Sequence, residues 1–480
     1  MKRPRSGQLT LEIMILGTVT VILVGGFSLW AYSSLRISLR DYHRALAFSI
    51  AESGIEYYRW HLAHNPTDYT DGTGQPGPYI HNYYDKNGNL VGQFTLDITP
   101  PPAGSTIVTV QSTGEVAADS SVEKIIRVRM GIPSFAKFAV AANAAMRFGA
   151  GTEVFGEIVS NGGIRFDGLA HNLISSAVLS YTDTDFDACT TNNSWGVHTC
   201  VAPADPTWPT ALPSRPDVFE AGRVSGVPAV DFAGITQDLS NLRAIATSSG
   251  VYFPSSTNPG YELVLKTDDT YDVYRVNSLV SPPSGCTNYL NQSGWGTWTV
   301  NSRTLISSGT IPASGIFFFE DDLWVRGAID GARVTVASAL FPDNPTTRTS
   351  ITLNDDVRYT SYDGTDVIAL IAQRNINIGL QATTTIRIDG ALVAQNGRVG
   401  RYYYRPPGGG SQRCSPYHTR QEITSYGMIA TSQRYGFAYT DGTGYQLRNL
   451  VYDANLLYGP PPSFPLASDH YIQLSWEEVK

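Results

Sequence analysis

The sequence predicts an α+β chain: a long N-terminal helix and a small antiparallel sheet, followed by a large mainly-β domain. For that domain a parallel β-helix is favoured and a β-sandwich is the alternative. Three observations lead there. Residues 13–35 lack any charged side chain, and an apolar stripe continues beyond them at helical spacing. Residues 79–130 alternate apolar and polar side chains in short runs bounded by turn signals. From residue 135 the pattern changes to apolar triplets separated by Gly, Asn and Asp. Composition agrees with this reading. Of 480 residues only 16% are charged, against about 25% in an ordinary soluble domain, while Gly and Pro supply 45 and 28 positions. A long coiled coil and a charge-driven disordered chain are excluded.

As a helix, residues 13–35 would be roughly 34 Å long, slightly more than the hydrocarbon thickness of a bilayer. One membrane span is expected. Lys2, Arg3 and Arg5 place its N-terminal end in the cytoplasm by the positive-inside bias, so the chain reads as a single-pass cytoplasmic (inner) membrane protein with its C-terminal part outside. Residues 1–44 carry a net +4 (six basic side chains against Glu12 and Asp41), which leaves −12 of the overall −8 to the exterior. A globally basic nucleic-acid binder is therefore not expected.

Glu12 is the odd residue, a carboxylate at the head of an apolar run that needs an interface or a cation. The run Gly7-Gln8-Leu9-Thr10-Leu11-Glu12 resembles the processing site of type IV prepilins, a short basic leader ending in Gly followed by a hydrophobic segment whose fifth mature residue is Glu. The resemblance implies a cut between Gly7 and Gln8 by a prepilin peptidase, which also methylates the new N-terminus. It further implies that Glu12 pairs with the terminal amine of a neighbouring pilin subunit in the filament core, where a charge is tolerated only if matched. Gln8 stands where most major pilins carry Phe, and Leu29 where many carry a kinking Pro. A simple signal anchor, or a secretory signal cut near residues 31–33, accounts for the apolar run but not for the spacing of Gly7 and Glu12.

Beyond the span, Phe48, Ala51, Ile55, Tyr58 and Leu62 fall on one helical face, and Asn65-Pro66 stops the helix. Unbroken from 8 to 64, it would reach roughly 85 Å. Residues 51–57 (Ala-Glu-Ser-Gly-Ile-Glu-Tyr) further resemble the corresponding helix of PilX-type minor pilins and the larger pseudopilins. Strands are expected at 79–84, 94–98, 107–111 and 126–130, packing their apolar faces on that stripe. The expected organisation is a leader at 1–7, a helix at 8–64, a sheet at 65–133, a β-rich head at 134–430 and a C-terminal β/loop segment at 431–480. Residues 171–315 look like an insertion in the head, with a helix near 234–246 and strands at 261–266 and 271–276. The peptide Tyr-Thr-Asp-Gly-Thr-Gly at 69–74 and again at 439–444 reads as a turn.

Four cysteines, Cys189, Cys200, Cys286 and Cys414, lie outside the membrane on this topology, where disulfides persist. Cys189 with Cys200 is the favoured local pair, leaving Cys286 with Cys414 as one of three connectivities. Catalytic motifs are lacking, and no cofactor is expected. Ser134-Phe135-Ala136-Lys137 has Ser-x-x-Lys spacing without its usual partner motifs. Asp268-Asp269, Asp321-Asp322 and Asp355-Asp356 are adjacent pairs whose members point apart in a strand, and exposed turns explain them better than a two-carboxylate site. Asp183, Asp185 and Asp187 alternate as calcium ligands do but lack the Gly and Glu of an EF-hand loop. A basic aromatic segment, Arg398, Arg401, Tyr402, Tyr403, Tyr404, Arg405 and Arg413, could grip a glycan, a single nucleic-acid strand or an acidic partner, or simply cover one face of the fold, which is the favoured reading.

The resemblance thus implies a non-enzymatic structural subunit, a minor pilin or pseudopilin. It would be anchored first and then assembled at the tip of a type IV filament at the cell surface, in adhesion or pilus initiation. Its partners would be the peptidase, other pilins, the assembly machinery, and a glycan or surface receptor. The alternative is a membrane-anchored β-helix adhesin or glycan-acting enzyme outside any filament.

Overall fold

A computed structural model describes residues 6–185, 192–232 and 234–479. Its first element is the helix α1, Ser6–His64, 59 residues without a break. Four strands follow: β1 (Tyr79–Tyr84), β2 (Leu90–Thr99), β3 (Ile107–Val116) and β4 (Asp119–Gly131). All pair antiparallel in sequence order. Strict alternation makes one face apolar: Val108, Val110 and Val116 of β3 and Ile126, Val128 and Met130 of β4 are buried against α1 together with Phe94 and Leu96. From α1 come Ala47, Ile50, Ala51, Ile55, Tyr58 and Leu62, which is the expected stripe extended N-terminally, with Phe48 half-buried beside it.

The sheet has a fifth strand that the sequence reading left in the C-terminal segment. Ile472–Val479 runs antiparallel to β4, with Ile472 opposite Gly131 and Trp476 opposite Val128. Trp476 also packs edge-on against Phe48, centroids 5.9 Å apart. One compact unit accordingly comprises Met1–Pro102, Ile107–Ile132 and Asp469–Lys480, and the other comprises Ala103–Thr106 and Pro133–Ser468.

In the second unit, short strands stack in parallel. One ladder joins Ile316–Phe319, Arg333–Ser338, Val367–Ala372, Thr385–Ala394, Thr419–Thr431, Val140–Ala142, Ile158–Ser160 and Ile174–Ser176. Its register places Phe317, Val336, Leu370, Leu392, Ile429, Val140, Ile158 and Ile174 in one inward column, all essentially inaccessible. The opposite face, with Phe318, Ala337, Ile371 and Val393, lies under α2 (Gly234–Ser249) through Leu239, Leu242 and Ala246. Burial on both faces is why Val367–Ala372 reads as an unbroken apolar run. Residues 171–315 are built into this stack rather than set apart from it, since Ile174–Ser176, Arg223–Ser225, Val251–Phe253 and Gly260–Leu265 all extend its ladders.

Candidate anchoring and assembly segment

The N-terminal half of α1 is uncovered by any of the described residues. Leu9, Ile13, Ile22, Leu29 and Trp30 are each more than 60% exposed, and the helix holds a window of mean hydropathy 2.1, long and apolar enough to cross a membrane. Two of its hydroxyls are satisfied within the helix: Thr18 Oγ1 donates to Met14 O and Thr20 Oγ1 to Leu16 O, both at 2.8 Å. That internal satisfaction is what an apolar surround demands. Gly7 and Gln8 lie in the first turns of the helix, and Glu12 is exposed one turn further on, in no ion pair among the described residues. Past the apolar stretch the polar groups return, with Arg44 beside Asp41 at 3.4 Å and Arg59 beside Glu56 at 3.5 Å.

The C-terminal half is seated closely on the sheet. A Cβ on Gly54 would run into Ser112 Oγ and Phe94, and one on Gly114 into the backbone of Ala47 and Ala51. The two glycines let helix and strand approach within the reach of no larger residue. The helix end is clasped by Asp68, whose backbone oxygen accepts from Tyr58 Oη at 2.9 Å and whose Oδ2 meets His61 Nε2 at 2.9 Å.

No family model and no curated protein matches the chain. Among solved structures, the chain is similar to the competence-associated pilin ComZ from Thermus thermophilus, at a TM-score of 0.31 and 12% identity, over 91% of this chain and 97% of that one.

In the basic aromatic segment Arg401, Tyr402 and Tyr404 are buried at 0%, 3% and 1% exposure, beyond the reach of a ligand in solvent. Arg401 donates to Gly379 O, to Leu380 O at 2.9 Å and to Tyr417 O at 2.6 Å, and its burial lowers its pKa to about 10. Tyr402 Oη bonds Ser293 O at 2.8 Å and Tyr404 Oη bonds Gly296 O at 2.6 Å. With the Cys286–Cys414 disulfide, these bonds fix the loop around residues 286–298 to the stack. Arg398 lies over the Tyr402 ring and Arg405 over Tyr289; Arg398, Tyr403, Arg405 and Arg413 are half-buried, and Tyr403 Oη donates to Asp441 at 2.8 Å. The signal that could have inverted the reading is the tryptophan-rich loop at Trp295 and Trp298, which supplies the packing partners.

Asp183 and Asp185 face cations already in the chain. Asp185 pairs with Arg434 at 2.7 Å and Arg147 at 3.3 Å, and Asp183 lies 3.5 Å from both Arg165 and His198. This arginine shell suits carboxylates that are neutralised by protein, not by calcium. Asp187 and Cys189 lie outside the described residues. Cys200 is disulfide-bonded and offers no thiolate to the neighbouring Asp183 and His198. Ser134 caps a short 3-10 turn through Ala136 N and donates to Leu456 O, a structural role for the Ser-x-x-Lys match. Asp321 and Asp322 diverge, one accepting from Ser256 N and the other from Ser350 N.

Proposed function

We propose that this chain is a type IV pilin-like subunit. It is cut between Gly7 and Gln8 by a prepilin peptidase, held in the cytoplasmic membrane by residues 13–35, and drawn into a filament through the uncovered half of α1. Supporting this reading is one continuous helix with two environments: an apolar N-terminal half left uncovered by the described residues, headed by Glu12, and a C-terminal half docked on an antiparallel sheet. A soluble domain would bury such a surface. A membrane anchor alone would need no acidic residue at its head, whereas a filament supplies a neighbour's terminal amine to neutralise it. The β-rich head takes up most of the chain, and a bulk of that size favours the filament tip, in adhesion or initiation, over repeated positions along a shaft. Residues 51–57 resemble the corresponding helix of PilX-type minor pilins and the larger pseudopilins.

Intact mass and N-terminal peptide analysis of the membrane-extracted protein test the processing step. The expected mature chain begins at Gln8; a chain beginning at Met1 or near residues 32–34 overturns the proposal. Glu12→Ala is expected to leave membrane insertion intact and to remove the protein from sheared filaments. Immunogold labelling is expected at filament ends, and labelling along the whole length at major-subunit frequency would refute the tip position.

A further inference from the structure

Three arginines, Arg36, Arg40 and Arg44, follow the uncharged run 13–35 and are spaced by four residues, so they form one stripe along α1. The helix is unbroken there, and its rise fixes their depth. For an upright helix their Cα atoms stand about 1.5, 7.5 and 13.5 Å beyond Leu35. A headgroup layer extends roughly 5–7 Å past the hydrocarbon on each side. Side chains of a helix lean toward its N-terminus, here back toward the span, which brings Arg36 and Arg40 into that layer and leaves Arg44 above it. Trp30 and Tyr32, 65% and 58% exposed, mark the same boundary as interfacial rings do.

The three cations differ in what meets them. Arg44 has Asp41 at 3.4 Å. Asp119, at the start of β4, is taken by His43 at 3.6 Å. Arg36 and Arg40 are exposed and in no ion pair among the described residues; Arg36 lies over the Tyr32 ring, 5.3 Å from its centroid. Cations on the outer side of a span work against its positive-inside orientation, so two left unmatched are a cost. Lipid phosphate offsets it. A guanidinium takes phosphate oxygens through two parallel N–H bonds, and an anionic leaflet attracts each basic side chain held at its surface. An acidic protein partner would have to reach down among the headgroups to do the same.

We propose that Arg36 and Arg40 bind the headgroup of an anionic phospholipid in the outer leaflet of the cytoplasmic membrane, and so fix the depth at which the unassembled subunit sits. The inference rests on the membrane span assigned to residues 13–35.

Native mass spectrometry of the full chain, released from lipid nanodiscs of equal phosphatidylglycerol and phosphatidylcholine, tests it. Both lipids carry a phosphate, but only phosphatidylglycerol is net negative. The lipid retained on the chain is expected to favour phosphatidylglycerol, with each arginine contributing about fivefold. Arg36→Gln and Arg40→Gln should each lower the preference by that factor, and Arg44→Gln should leave it unchanged. None of these exposed side chains belongs to the buried stripe, so the thermal midpoint is expected to hold in all three variants. No preference in the parent chain, a preference that survives Arg36→Gln combined with Arg40→Gln, or an equal loss with Arg44→Gln each overturns the proposal. Carbonate washing of vesicles that hold the chain separates this result from the span itself. A chain stripped at alkaline pH overturns the span and the lipid site together, whereas a chain that resists washing and shows no preference overturns the lipid site alone.

Discussion

Asp363 accepts at one oxygen from Thr365 N at 3.0 Å, Thr365 Oγ1 at 2.6 Å and Ser361 Oγ at 2.9 Å. The Thr365 bonds hold its carboxyl down to about 2. The same Asp-x-Thr clasp recurs at Asp68 with Thr70, also down to about 2, and at Asp268 with Thr270, likewise lowered by the Thr hydroxyl. A carboxyl depressed in the folded state contributes stability that is present above its unfolded value of about 3.9 and is lost as pH falls through the folded one. Asp322 has the opposite sign: burial raises it to about 6, so protonation between neutral pH and about 5 favours the folded state there. The thermal midpoint is thus expected to hold or rise slightly from pH 7 to about 5 and to fall from about 4 to 2. Thr365→Val and Thr70→Val should move the acid midpoint of tryptophan fluorescence upward without changing the fold at neutral pH, and an unmoved midpoint would show that the clasps do not matter to acid stability. Arg401 is a second test at this scale. Its fork serves three carbonyls in a dry site, and the compact ammonium of Arg401→Lys cannot reach them all, so a loss of about 1–3 kcal/mol in denaturant unfolding is expected.

Element by element, the contact that seats α1 on the sheet is set by glycine. Gly114→Ala would press a methyl into the Ala47 carbonyl and Ala51 amide, which are helix backbone and cannot swing away. Overpacking of this kind costs about 1–3 kcal/mol, measurable as a lowered thermal midpoint, whereas alanine at exposed Gly88 meets no neighbour and adds only the strain of a positive φ. The helix, its buried stripe and strands β1 to β4 were legible in the sequence because their periods of 3.6 and 2 are local and each face meets one partner. Coil order in the head was not. A three-residue strand such as Val140–Ala142 carries no register of its own, and its neighbours Thr419–Thr431 and Ile158–Ser160 lie at very different sequence distances. The segment from Arg398 to Arg405 read as surface because Arg and Tyr are amphipathic. Only the loop at 286–298, covalently tied through Cys286–Cys414, turns it into interior.

At the scale of the whole chain, the head enters and leaves its own stack at neighbouring strands. Val140–Ala142, the first rung, pairs with Thr419–Thr431, and Gly444–Tyr452 pairs with both Thr419–Thr431 and Glu153–Phe155. A stack that began at one end and finished at the other would separate the two connections to the small sheet. Here the chain climbs from 140 through 174 to 223, crosses by way of α2 to Val251–Phe253, and descends through 316, 333, 367 and 391 to close on its first rung. On the sheet side the same economy holds, because Gly131 at the end of β4 faces Ile472 at the start of the C-terminal strand. These two residues pair as the ends of a hairpin do, with the second unit's residues 133–468 lying between them in sequence. Replacing Pro133–Ser468 by a Gly/Asn linker of about four residues, a common hairpin length, is therefore expected to leave α1 and all five strands folded. The check is a near-ultraviolet signal from the Trp476–Phe48 contact and one cooperative thermal transition in detergent. The complementary chain, ended at Ser468, should keep the head's cooperative unfolding yet lose hydrogen-exchange protection along β4, whose outer edge would then be unpaired. If instead the linker variant is molten while the chain ended at Ser468 keeps β4 protected, the C-terminal strand is an accessory of the sheet and not its closing member.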